Sequence, residues 1–163
     1  MRDENKLTYI NILLDSLKKT EKLLTNLKED TLKQTAILEK QVFDADGFNS
    51  LITSKQKYLD ELAIQDAGFL DIYEKVKATM SENPSDYETE INQAKSLIKR
   101  QTELSVELQS LEEKNRTRLA VHLSNGKQKV RDFRTSSQTA AAYYKNMSNR
   151  HQEGDSYFLD SKK

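Results

Sequence analysis

Few residues in this 163-residue chain are of a type and spacing that could do chemistry. Its only histidines, His122 and His151, lie far apart and without the His-Glu-x-x-His spacing that puts two metal ligands on one helix face. There is no cysteine, so no thiol nucleophile, disulfide framework or Cys-based zinc site exists. Gly126-Lys127 is the one dipeptide shared with phosphate-binding loops, and the rest of such a loop is missing. Carboxylates are plentiful but scattered over helix faces, and adjacent acids such as Glu112 and Glu113 point in different directions. Arg116, Arg118, Lys127, Lys129, Arg131 and Arg134 form a basic run. They suit the negative end of a helix or a solvated surface, and Phe133 is the only aromatic residue interleaved to stack a base. The expectation is a protein that is not an enzyme, holds no metal or cofactor and binds no nucleic acid.

The elements that would carry these residues are long helices. Hydrophobic residues make up 36% of the chain and charged residues 32%, mean hydropathy is −0.82, and Gly (4) and Pro (1) are scarce. That balance suits narrow apolar seams better than a broad core. The clearest seam runs from Tyr87 to Leu123 through Ile91, Ala94, Leu97, Ile98, Leu104, Leu108, Leu111 and Leu119, in steps of three and four. Without an internal Gly or Pro it predicts one helix of roughly 55 Å at 1.5 Å per residue. So narrow a stripe needs partner helices. Gln101, Asn115 and His122 interrupt it, and polar seam residues usually fix register at some cost in stability.

Two further helices precede it. Leu7, Ile10, Leu14, Leu17, Leu24 and Leu27 predict a helix from about Asn5 to Val42, ended by Asp44-Ala45-Asp46-Gly47, where either Asp can cap the next. Phe48, Ile52, Lys55, Leu59, Leu62, Phe69, Val76 and Met80 keep one phase and predict a helix over 47–80, with a break near Ala63–Gly68 as the alternative. Asn83-Pro84-Ser85-Asp86 supplies a cap, a proline for the first helical position and an acid for the first turn. Three helices of matched length on short connections imply an all-α antiparallel bundle or coiled-coil hairpin. The bundle domain is expected over 1–134 and a flexible C-terminal tail over 135–163, with Tyr143, Tyr144 and Tyr157 either docking back or meeting another protein. The charged start Met-Arg-Asp-Glu-Asn-Lys and the want of a long apolar run predict a cytoplasmic protein without stable membrane insertion.

Three stretches carry a family resemblance. They are Phe48-Asn-Ser-Leu-Ile-Thr-Ser-Lys-Gln-Lys-Tyr-Leu-Asp-Glu-Leu after the acidic Gly turn, Leu108-Gln-Ser-Leu-Glu-Glu-Lys-Asn-Arg116, and the tail with Ala141-Ala142-Tyr143-Tyr144 and Asp155-Ser-Tyr-Phe-Leu-Asp-Ser-Lys-Lys163. Together they resemble the FlgN-type flagellar export chaperones, and the related FliT type stays open beside it. The resemblance implies a cytoplasmic helical chaperone of type III flagellar export. Such a protein binds the C-terminal helical region of hook-associated (hook–filament junction) proteins, prevents their premature assembly and delivers them to the export gate. A seam that loses regularity after Leu111 suits helix-in-groove capture. Leu104, Leu108, Leu111, Asn115, Leu119 and Leu123 are therefore the expected client contacts. Tyr143 and Tyr144 are the expected contact with the export machinery. The alternative is a structural coiled coil whose stripe is covered by its own homodimer.

Overall fold

The computed structural model describes residues 4–82, 84–125 and 140–145. Among them every long element is helical and none is a strand: α1 (Glu4–Leu38), α2 (Ala45–Glu82), a 3₁₀ turn (Pro84–Tyr87) and α3 (Glu88–Asn125), with residues 140–145 also helical. The three long helices form the expected all-α bundle. Its side-chain contacts give the directions. Ser16 meets Gln65, and Ser54 meets Asp30, so α2 runs against α1. Lys28 meets Glu107, and Arg118 meets Glu39, so α3 runs alongside α1 in the same direction.

Two compact units can be described. The first consists of the described residues of Met1–Asn26 and Asp60–Val106. Its core is Ile10, Leu13, Leu14 and Leu17 of α1 with Val76, Tyr87 and Ala94, and Phe69, Ile72, Tyr73, Ile91, Leu97 and Ile98 pack around them. This is the three-and-four spacing of the sequence turned into burial. The second unit consists of the described residues of Leu27–Leu59 and Glu107–Lys163. Leu27, Leu38, Phe48, Ile52, Leu59, Leu108 and Leu119 are buried there.

The polar seam residues fix register as their positions suggested. In the first unit, Gln101 Nε2 donates to the Leu17 carbonyl at 2.8 Å. In the second, Asn115 Nδ2 donates to the Thr31 carbonyl at 3.1 Å and His122 Nε2 to the Leu38 carbonyl at 2.8 Å. Each bond joins residues 84 apart in the chain. A helical carbonyl has a second lone pair beyond its backbone bond, which such a side-chain donor can use.

Helix ends differ from the expected ones for local reasons. The first helix stops at Leu38, four residues short of Val42. Lys40 N bonds Ile37 O in a tightened last turn, His122 takes the Leu38 carbonyl, and Phe43 stacks on the His122 ring at 5.2 Å. The chain is thus turned by a cap from α3. Asp44 begins α2: its Oδ1 accepts from Gly47 N at 2.9 Å. A Cβ on Gly47 would lie 2.3 Å from Asp44 Oδ2, so glycine lets the carboxylate fold over the first turn. Pro84 opens a 3₁₀ turn, and α3 begins only at Glu88, after Tyr87 has entered the core.

The break considered at Ala63–Gly68 does not occur, since α2 is continuous through it. Gly68 is exposed, and an added Cβ would meet nothing within 4 Å. Gly68→Ala is therefore expected to stabilise the protein by about 0.5–1 kcal/mol, through lower backbone entropy in the unfolded chain. A urea melt reads this as a higher midpoint at constant slope, and a lower midpoint would mean that α2 bends at Gly68.

Candidate functional site: a buried Lys–Glu–Tyr cluster

The most unusual chemistry in the described residues is a charge where the α2 seam calls for an apolar side chain. Lys55 sits in phase with Phe48, Ile52, Leu59 and Leu62, and its side chain is fully buried. Opposite it, α3 places Glu112 four residues after Leu108 and three before Asn115, also buried. The Lys55 ammonium pairs with Glu112 Oε1 and donates to Gln34 Oε1 of α1 at 2.6 Å.

Hydrogen bonds from α1 complete the surroundings. Thr31 Oγ1 lies 2.9 Å from Glu112 Oε1 and 2.7 Å from the Leu27 carbonyl, so its one hydrogen serves two acceptors in turn. Thr35 Oγ1 donates to Asn115 Oδ1 at 2.8 Å, which turns the Asn115 amide toward the Thr31 carbonyl. Ser54 Oγ donates to Asp30 Oδ2 at 2.7 Å, which places a second carboxylate near Lys55.

The cluster is closed by residues 140–145. The Tyr143 hydroxyl donates to Glu112 Oε1 at 2.6 Å, its ring lies 4.2 Å from Lys55 Nζ, and Tyr144 meets it edge-on at 5.3 Å. Ala140 and Tyr143 are buried, and Tyr143 is only 1% exposed. A hydrogen bond to a charged acceptor and a desolvated cation–π contact are each stronger than their exposed counterparts. They hold a segment whose apolar surface alone would be too small to order it.

Electrostatics follows from this burial. Desolvation lowers the Lys55 amine from its usual 10.5, and the Glu112 charge opposes that shift. Desolvation raises the Tyr143 phenol far above its usual 10.0, and the Glu112 charge adds to it. Tyr144 is raised for the same reasons, in the same order, with Arg116 pulling the other way.

These shifts predict how docking responds to alkali. Folded Tyr143 and Tyr144 keep their protons above pH 10, where free phenols lose them. Their contribution to docking is therefore complete below that pH and lost as pH rises beyond it. Lys55 acts in the opposite sense, adding stability as pH climbs toward 10.5 and nothing further above it. Two of the seven tyrosines should thus ionise late and together in a tyrosinate absorbance titration. Ionisation of all seven in one ordinary step would show that residues 140–145 leave the bundle freely.

Most of the expected site residues lie inside the bundle. Leu104, Leu108, Asn115 and Leu119 are buried within the bundle, and Leu111 and Leu123 are half-buried. A client could therefore reach these leucines only by displacing part of the bundle. Tyr143 is not presented to another protein in this state, and Tyr144 is half-buried beside it. Of the two expectations for the tail tyrosines, residues 140–145 follow docking back, with polar contacts at the cluster in place of the missing apolar area. His151, Lys127, Lys129, Arg131, Arg134 and the rest of 126–139 and 146–163 lie outside the described residues. Arg118 meets Glu39 at 3.5 Å between two exposed side chains, a contact worth little.

Sequence reasoning passed over Lys55 and Glu112. The signal was present: each breaks the apolar phase of its own stripe, and their charges are opposite. Among the described residues, no group of three His, Cys, Asp or Glu side chains could hold a metal ion, and no helix is long and apolar enough to cross a membrane. No protein-family model matches the chain, and comparison with curated proteins and with solved structures gave no match.

Proposed function

We propose that this protein is a cytoplasmic export chaperone of the FlgN type. It binds the C-terminal helical region of hook-associated proteins, prevents their premature assembly and passes them to the flagellar type III export gate, without enzymatic activity of its own. The resemblance of Phe48–Leu62, Leu108–Arg116 and the Tyr143-Tyr144 tail supplies the family and the client. The observation that carries the reading is the seating of residues 140–145 over Lys55 and Glu112. The three-helix bundle receives a short helical segment from outside itself there, through a tyrosine. A surface that holds one such segment by few contacts can exchange it for another by helix-in-groove packing. The client contact proposed is accordingly this seat, in place of the α3 residues Leu104 to Leu123.

The alternative of a structural homodimer drew its support from an uncovered stripe. Leu104, Leu108 and Leu119 are covered within one chain, which removes the need for a second copy to cover them.

Titration calorimetry of the full chain against the C-terminal helical segment of a hook-associated protein tests the proposal. The expected result is saturable one-to-one binding, tightened by Tyr143→Ala because the resident segment no longer competes. No heat of binding for either chain, with both folded by circular dichroism, would sink the chaperone reading.

A further inference from the structure

Glu112 is crowded on one oxygen and unserved on the other. Oε1 accepts from Lys55, Thr31 and Tyr143, whereas Oε2 has no hydrogen-bond partner among the described residues. The residue is nonetheless only 5% exposed. A buried carboxylate oxygen without a donor is unfavourable, and a ligand that supplied one would remove the cost. The missing donor must be neutral, because the Lys55 ammonium already balances the charge.

The resident segment shows what else the seat selects. Ala140 is buried, so a small residue leads. Three positions later, one turn on, a phenol hydroxyl reaches Glu112 while its ring covers Lys55 Nζ. Residues 140–145 belong to the same chain as the seat, so they compete at the high effective concentration of a tethered ligand. A segment from another molecule prevails only by making a contact that the resident lacks, and Oε2 is where such a contact is available.

We infer that the Tyr143 seat is a recognition site for a helical segment of another protein. That segment carries a small residue, a tyrosine three positions later, and a neutral hydroxyl or amide donor directed at Glu112 Oε2. It binds in exchange for residues 140–145. This rests on the reading of the protein as a binder of helical clients and specifies the chemistry of the contact.

The test uses full-length chains and labelled synthetic peptides of this protein's own residues 136–150, read by fluorescence anisotropy. The parent peptide should bind the Tyr143→Ala chain at least tenfold more tightly than the wild type, whose seat is filled. A peptide with Tyr143→Phe, which loses only the hydroxyl, should bind at least tenfold more weakly than its parent. Among peptides carrying Ala140→Ser, Ala141→Gln or Ala142→Gln, at least one should bind tenfold more tightly by serving Oε2. Failure of every peptide to bind a Tyr143→Ala chain that keeps its helical circular dichroism would overturn the seat as a recognition site. Equal binding of all the donor-bearing peptides and the parent would overturn the role of Oε2. Wild-type dimers in light scattering that become monomers with Tyr143→Ala would show a second copy of this chain to be the occupant, against the inference. Peptide binding without binding of a hook-associated segment would sink the chaperone reading and leave the seat standing; the reverse pair of results would sink the seat alone.

Discussion

Glu112→Ala is expected to destabilise the protein by about 3–5 kcal/mol, the usual cost of leaving one member of a buried ion pair without the other. Lys55 would remain fully buried, with Gln34 Oε1 as its one remaining hydrogen-bond acceptor among the described residues. Tyr143 and Thr31 would lose their shared acceptor at the same time. Lys55→Met should cost less, because the Glu112 carboxylate keeps two hydroxyl donors and methionine fits the shape of the lysine stem. The double variant Lys55→Met, Glu112→Leu should recover most of the loss in the bundle, since apolar replacements of buried pairs are often neutral or better. Urea denaturation of the four proteins gives the coupling energy directly. A Glu112→Ala cost below about 1 kcal/mol would mean that water reaches the Lys55 ammonium, and that the cluster is open where the structure has it closed.

The same cluster shows why the fold was more legible in the sequence than the site. Leu14, Leu17, Leu104 and Leu108 recur at helical spacing, and their burial follows from geometry that any single helix carries. Asn115 and His122 could be read as register devices for the same reason, since a polar group in a narrow seam must find a partner on the facing helix. Lys55 and Glu112 are different. Each alone reads as an interruption of its own apolar stripe, and only the meeting of α2 with α3 makes the two charges compatible with burial. Tyr143 compounds the difficulty. Its ordering depends on a hydroxyl bond and a ring over an ammonium, and neither contributes to an apolar pattern. The early end of α1 has a related origin: the cap at Leu38 comes from His122, a residue on another helix.

The geometry reverses one consequence that an open α3 seam would have had. On such a seam, Leu108→Asp and Leu119→Asp would abolish client binding and leave the fold intact. Leu108 is 1% exposed and Leu119 3% exposed, so a carboxylate at either position would be taken out of water. Losing a buried leucine costs about 2–5 kcal/mol, and burying an unpaired carboxylate adds several more. The sum is comparable to the whole stability of an ordinary domain, about 5–15 kcal/mol. Each substitution is therefore expected to abolish cooperative unfolding and to reduce helical circular dichroism at 25 °C. Val106→Asp and Val121→Asp, on side chains 59% and 55% exposed, should leave the melt within about 0.5 kcal/mol of the wild type. A Leu108→Asp protein that melts like the wild type would mean that this half of α3 stands free of α1 and α2 in solution. The seam would then be available to a client after all, and the Tyr143 seat would lose its place as the contact.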